Sequence, residues 1–316
     1  MTPLVIVVGP TGSGKTELSL SIAERFQCEI VSCDSLQIFR YLNIGTAKLT
    51  IEQRRDIPHH LIDIVEPSEL FTAGDYAARG RAVLRQIADR GRVPMVVGGT
   101  GFYLRALLEG LFAGPKRDED IRAQLKQREQ RRPGSLHRIL RRLDPAAAGR
   151  IHANDRNKTM RALEVRLIER KPISALFLAG REALTGFTPI KVGLNPPRQE
   201  LHRKLDERAE KMFASGLLDE VRGILASGIP STVKPFESLG YRQALQVIEN
   251  GLSLDAAVAS MQMETRRYAK RQITWFRREP DVRWFAGFGG ETPLQNEVLM
   301  FLEDRIAHLR LISSQA

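Results

Sequence analysis

An apolar run at residues 4–8 (LVIVV) leads into Gly9-Pro10-Thr11-Gly12-Ser13-Gly14-Lys15-Thr16, and a segment with helical patterning follows to about Phe26. The octapeptide fulfils G-x-x-x-x-G-K-S/T in the strand, loop and helix setting that the motif requires. Glycines let successive backbone N–H groups converge on phosphate oxygens, and the helix N-terminus adds partial positive charge. Lys15 is placed to reach the outer phosphate and Thr16 to ligate Mg²⁺. The loop thus constrains the fold to an α/β sheet and the ligand to a di- or triphosphate. It leaves the reaction open.

The rest of the first third agrees. Short β-branched runs at 29–32, 60–64 and 93–97 alternate with helical patterns, one of them at about 73–89. Strands buried on both faces read this way, which predicts a P-loop NTPase-like, doubly wound parallel sheet. From Pro115 the texture changes. Lys116-Arg117-Asp118-Glu119-Asp120 is a polar break, and no convincing strand follows until about 190–193. Leu136, Ile139, Leu140 and Leu143 fall at i, i+3, i+4 and i+7, and Asp144-Pro145 supplies an N-cap and N1 proline for another helix. Residues 118–188 are therefore expected to form a helical insertion between core segments 1–117 and 189–316. Further helices are expected at about 198–227, 238–250, 254–278 and 294–311.

Charge narrows the partner. The 316 residues carry 48 Lys+Arg against 37 Asp+Glu, a formal net charge of +11, which favours a polyanion. Two cysteines, Cys28 and Cys33, make no disulfide framework, and no Cys/His cluster has zinc spacing. The apolar run at 4–8 is too short for a signal core or membrane span, so a cytoplasmic chain without membrane association is expected.

A P-loop ATPase also needs a carboxylate ending a hydrophobic strand. Met95-Val96-Val97 ends instead in Gly98-Gly99-Thr100-Gly101. The acidic candidates are Asp34, just beyond the 29–32 run, and Asp63, within Leu61-Ile62-Asp63-Ile64 and expected mid-strand. Ligands of such sheets sit beyond the carboxyl ends of the strands, which gathers the P-loop, Asp34 and Thr100 around one crevice. Asp34 is suited either to cap a helix starting at Ser35 or to accept a proton from an attacking N–H or O–H. Arg208 interrupts the apolar stripe of Leu201, Leu205 and Met212, the pattern of a snorkelling residue at the stripe edge. Arg222 reads as a solvated residue. Near 254–278, Arg266, Arg267, Lys270, Arg271, Arg277 and Arg278 interleave with Tyr268, Trp275 and Phe276. That pattern suits an RNA backbone with splayed bases, unless the aromatics pack inward.

Taken in order, the P-loop, Asp34-Ser35-Leu36-Gln37, Asn43-Ile44-Gly45-Thr46-Ala47-Lys48, Pro58-His59-His60-Leu61-Ile62-Asp63, Gly98-Gly99-Thr100-Gly101 and Lys270-Arg271-Gln272-Ile273-Thr274-Trp275-Phe276-Arg277 resemble the tRNA dimethylallyltransferase (tRNA isopentenyltransferase) family over nearly the whole chain. The resemblance implies Mg²⁺-dependent transfer of a dimethylallyl group from dimethylallyl diphosphate to N6 of the adenosine 3′ to the anticodon, tRNA position 37. It implies that Asp34 takes the N6 proton, that Thr100 sits by the bridging oxygen, and that Arg208 contacts the diphosphate held by Gly9, Pro10, Thr11, Gly12, Ser13, Gly14, Lys15 and Thr16. It also implies tRNA contacts at Asp34, Ser35, Leu36 and Gln37, at Thr100 and Arg122, and at Asn157, Lys158, Thr159, Met160 and Arg161. Further contacts are implied at Glu237, Ser238, Leu239, Gly240, Tyr241 and Arg242, and at Lys270, Arg271, Gln272, Trp275 and Arg277. The insertion would grip the anticodon stem-loop.

Phe39, Leu49, Ala153 and Lys158 depart from the family's usual residues, and none touches the implied catalytic set. Cys33 reads as a small buried residue, and His59-His60 as structural. Competing readings are an isopentenyltransferase acting on free adenine nucleotides, a small-metabolite kinase and a non-catalytic RNA-binding P-loop protein. The basic helices, the Gly98–Gly101 ending and the joint presence of Asp34 and Thr100 count against them in turn. A monomer is expected.

Overall fold

The structure, a computed structural model, describes residues 1–178 and 180–315. The chain divides into two compact units, Met1–Leu108 with Leu184–Ala316, and Glu109–Ala183.

The first unit is built on six parallel strands: β1 (Thr2–Val8), β2 (Cys28–Cys33), β3 (His59–His60), β4 (Val93–Gly98), β5 (Phe187–Leu194) and β6 (Val282–Phe285). Their order is β3-β2-β4-β1-β5-β6. The central strand β1 is paired on both edges, Val5 opposite Met95 on one side and Ile190 on the other. Its residues Leu4, Val5, Ile6, Val7 and Val8 are all buried, as an unbroken β-branched run demands of a two-sided core. On one face Val5, Val7, Met95 and Val192 pack with α1 (Lys15–Phe26) and α13 (Thr292–Gln315) through Leu18, Ile22, Leu294, Val298 and Leu302. α2 (Ala73–Asp89) packs on β2 and β4, and its start carries the Thr72/Asp75 capping box. α3 (Gly101–Glu109) follows β4 directly. A separate core joins Ile38, Phe39 and Leu42 to α9 (Arg198–Ala214), α10 (Leu217–Ala226), α11 (Tyr241–Asn250) and α12 (Leu254–Phe276).

Three expectations are corrected. The run at 60–64 is no five-residue strand: only His59 and His60 pair with β2, because Leu61 and Asp63 adopt φ of 60° and 56°. Asp63 therefore sits in a bend, where its carboxylate meets Lys48 Nζ at 2.5 Å. The helix at 198–227 breaks into α9 and α10 at Gly216, whose φ is 95°. β5 begins at Phe187, inside the stretch assigned by sequence to the insertion.

The second unit holds α4 (Glu119–Arg131), α5 (Ser135–Leu143), α6 (Pro145–Arg150), α7 (Arg156–Glu169) and α8 (Ile173–Leu178). Leu136, Leu140, Ala147, Leu163 and Val165 form its core. Asp144 caps α6 by accepting from Ala147 N at 2.9 Å, with Pro145 at N1 as the sequence indicated. Glu164 is fully buried and accepts from Asp118 N (2.9 Å), Arg122 Nε (2.9 Å) and Arg161 Nη1 (2.6 Å). Burial alone would raise its pKa, but the two guanidiniums and the amide hold it below the usual carboxylate range. That contribution to stability is complete at neutral pH and is lost as pH falls through the depressed pKa. Glu164→Gln keeps the shape and removes the charge; urea melts should show a loss of about 1–3 kcal/mol, and an unchanged midpoint would mean the network is energetically idle.

Candidate active site

The carboxyl ends of β1, β2, β4 and β6 lead into one group of loops. β1 runs into the phosphate loop, and Gly14 at its end has φ of 83°. A Cβ there would come within 2.7 Å of Gly289 N, so both the conformation and the packing demand glycine. Lys15 Nζ donates to Gly9 O (3.1 Å) and Pro10 O (2.6 Å), which stations the ammonium over its own loop. Burial, reinforced by the positive charge of Arg208, pulls the Lys15 pKa down to about 8 against the opposing pull of Asp34 and Glu17. Ser13 Oγ is buried and has no hydrogen-bond partner among the described residues.

β2 delivers Asp34. Its Oδ1 accepts from Leu36 N (2.8 Å) and Gln37 N (3.3 Å), closing a side-chain turn. No helix starts at Ser35: the capping oxygen serves a turn instead. β4 delivers Thr100, whose backbone N donates to Cys33 O (3.1 Å) and whose Oγ1 accepts from Ser35 N (3.1 Å). The Asp34 turn is thus fastened to the end of β4. Arg208 projects from α9; burial lowers its pKa while Asp34 and Glu17 oppose, and among the described residues no ion pair claims its guanidinium.

Two cavities meet here. One of about 760 Å³ is lined by Thr11, Gly12, Gly14, Lys15, Thr16, Asp34, Lys204 and Arg208. The other, about 540 Å³, is walled by Leu36, Ser238, Leu239, Arg242, Arg267 and Arg271, and it shares Thr11, Asp34, Thr46, Arg208 and Tyr268 with the first. A carboxylate and a guanidinium therefore stand on the common wall between a cation-lined anion chamber and a second chamber of mixed polarity. Such an arrangement suits group transfer from an anionic donor to an acceptor that loses a proton. Among the described residues no group of three or more His, Cys, Asp or Glu side chains could hold a metal. The Thr16 hydroxyl, exposed beside Lys15, fits a hard cation whose remaining ligands are phosphate oxygens and water.

The other residues implied by resemblance divide. Asn157 and Lys158 are exposed on the helical unit, whereas Thr159 and Met160 lie in its interior and offer RNA no side-chain surface. Arg122 and Arg161 are engaged by Glu164. Glu237 is exposed, and Ser238, Leu239 and Arg242 face the second cavity, Arg242 paired with Glu264. Gly240 and Tyr241 are buried; the Tyr241 hydroxyl donates to Glu220 Oε1 (2.6 Å), whose partner oxygen accepts from Asn43 N and Ile44 N. On α12 Lys270 and Arg271 are exposed, as is Arg277 at its C-cap; Trp275 lies under Arg105 with 4.7 Å from guanidinium to ring centroid, and Phe276 is core. Gln272 is buried and points at the phosphate loop. His60 and Arg90 clasp Glu29 at 2.7 and 2.6 Å, a structural use as expected. Arg222 pairs with Asp219 on an exposed surface.

One feature escaped the sequence. The loop after β6 lies along the phosphate loop: Gly289 N donates to Ser13 O at 2.9 Å, and Phe288 carries Lys204 Nζ 3.7 Å above its ring. Gly287-Phe288-Gly289-Gly290, following the apolar stretch of β6, was the available signal.

The profile of the IPP transferase family matches residues 37–279. A tRNA dimethylallyltransferase of Solibacter usitatus (strain Ellin6076) is 56% identical over 305 residues, 96% of this chain and 98% of that protein. One of Koribacter versatilis (strain Ellin345) is 52% identical over 301 residues, 95% of this chain and 98% of the relative. The crystal structure of the full-length tRNA isopentenylpyrophosphate transferase from Bacillus halodurans superposes with a TM-score of 0.73 at 33% identity, covering 99% of this chain and 100% of that one.

Proposed function

Because this chain belongs to the tRNA dimethylallyltransferase (IPP transferase) family, a family of transferases, we propose that it moves a dimethylallyl group from dimethylallyl diphosphate to N6 of adenosine 37 of tRNA, releasing diphosphate. The observation that carries this reading is the common wall: Asp34 and Arg208 line both the phosphate-loop cavity and its neighbour.

As the allylic C–O bond breaks, negative charge grows on the departing diphosphate. The N–H groups of the loop, Lys15 and Arg208 stabilise it without reorganising at the moment of reaction. Mg²⁺, held by Thr16 and the phosphate oxygens, would neutralise the same charge. Thr100, fixed by Cys33 O and Ser35 N, stands at the end of β4 for the bridging oxygen. Asp34 takes the N6 proton through the oxygen that its turn does not use. The target adenine must leave the anticodon stack to reach the second cavity.

Exposed Arg267, Lys270 and Arg271 of α12 and Arg277 and Arg278 just beyond its end, together with Asn157 and Lys158, are assigned to RNA contact. No described helix is long and apolar enough to cross a membrane, and the proposal includes a cytoplasmic location and action as a monomer. Incubation with dimethylallyl diphosphate, Mg²⁺ and either tRNA or AMP, followed by nucleoside mass analysis, should show prenylated adenosine in tRNA alone. Prenylation of AMP and not tRNA overturns the assignment. Affinity for an anticodon stem-loop should fall linearly in log–log terms as salt rises, and a flat profile is incompatible with a phosphate-gripping surface.

A further inference from the structure

We propose that Gln272 is a positioning residue of the phosphate loop, clamping it to the end of β4, and not a contact to RNA. Gln272 Oε1 accepts from Thr11 N at 2.8 Å, and Gln272 Nε2 donates to Gly99 O at 3.0 Å. One amide therefore bridges the loop after β1 and the loop after β4. Only one orientation of that amide satisfies both partners, since Thr11 N–H needs an acceptor and the Gly99 carbonyl a donor.

The seat is closed. A Cβ on Gly99 would come within 2.1 Å of Gln272 Nε2, and one on Gly101 within 2.1 Å of Trp275 Nε1. α12 thus rests on the β4–α3 connection at two points where only glycine leaves room. The face it seats is a helical stripe of Ala269, Gln272 and Phe276, all buried, while Lys270 and Arg271 are exposed. With its N–H engaged by Gln272, Thr11 fixes the first half of the phosphate loop, and the amides that follow it keep their aim at the anion. Gly99, held from the same side chain, fixes the approach to Thr100. The clamp orders the two loops whose relative placement the leaving diphosphate senses, and so it rests on the function proposed above.

Two variants test it, with Kd for inorganic diphosphate plus Mg²⁺ by calorimetry, Kd for an anticodon stem-loop RNA by fluorescence, and melting temperature. Gln272→Leu removes both hydrogen bonds; diphosphate affinity should fall about tenfold with RNA affinity within about twofold of wild type. Gln272→Glu keeps an acceptor for Thr11 N–H but sets a carboxylate against Gly99 O. Protonation of that carboxyl restores the donor, so its diphosphate affinity relative to wild type should recover as pH is lowered. Should Gln272→Leu fail to fold, the pH series on Gln272→Glu decides. Weakened RNA binding with diphosphate affinity intact would return Gln272 to the RNA surface, and a ratio independent of pH would reduce the amide to a space filler. Diphosphate binding is read without any transfer, so failure of the clamp and failure of the proposed transfer are separate outcomes.

Discussion

Asp34→Asn is expected to lower turnover by about 10²–10⁴-fold while leaving affinity for an anticodon stem-loop RNA within about twofold of wild type. The amide keeps an oxygen that accepts from Leu36 N and Gln37 N, so the turn that holds residues 34–37 survives. What it loses is the second, basic oxygen, the one that no hydrogen bond among the described residues claims. Asp34→Ala differs: it removes the turn's acceptor as well, and RNA affinity should fall along with turnover, because Ser35 and Leu36 wall the second cavity. The pair of variants thus separates proton transfer from loop geometry. Single-turnover rates with saturating RNA are the measurement, and an Asn variant retaining more than about a tenth of the wild-type rate would exclude Asp34 as the proton acceptor.

The parts legible in the sequence are those whose physics is local. The phosphate loop declares itself because its glycines, lysine and threonine must stand at fixed spacing after a strand, and β1, β2 and β4 because burial on both faces removes polar residues from their runs. β6 was not legible: it is four residues at the sheet edge, with Arg283 exposed among Val282, Trp284 and Phe285. The false strand at 60–64 has the right residue types, but the positive φ of Leu61 and Asp63 is set by tertiary pairing with Gln37 O and Lys48, which no run of side chains announces. The break of α9 from α10 was announced, by Gly216, and continuous hydrophobic periodicity masked it.

Gln272 shows the same limit at the site. Its neighbours Lys270, Arg271 and Arg277 mark α12 as basic, and a polar residue among them reads as part of that surface. The spacing of Ala269, Gln272 and Phe276 was the contrary signal, since those three share one face of the helix. A buried glutamine is legible only when its partners are known, and both are backbone atoms from loops far away in the chain. The burial of Thr159 and Met160 has a related reason: a contiguous segment on a helix must turn some of its residues inward.

Lys15→Met should lower kcat/KM for dimethylallyl diphosphate by about 10²–10³-fold, as removal of a preorganised charge from a leaving group does elsewhere. The stronger test is the pH profile. In the ligand-free protein burial and Arg208 bring the Lys15 pKa down to about 8, so the ammonium is complete below that pH and is lost above it. kcat/KM, which reports the free enzyme, should therefore decline on the basic side with an apparent pKa near 8. A bound diphosphate supplies negative charge beside Nζ and holds the proton, so the decline in kcat should lie at higher pH than that in kcat/KM. The folding balance moves the other way: the unfolded chain keeps its lysine protonated to about 10.5, so between about 8 and 10.5 stability contributed by this site rises with pH as the buried charge is relieved. Rising stability with falling kcat/KM over one interval is a signature that general alkaline unfolding does not give. The same basic limb persisting in Lys15→Met would assign it to another group and remove Lys15 from the charge balance of the leaving diphosphate.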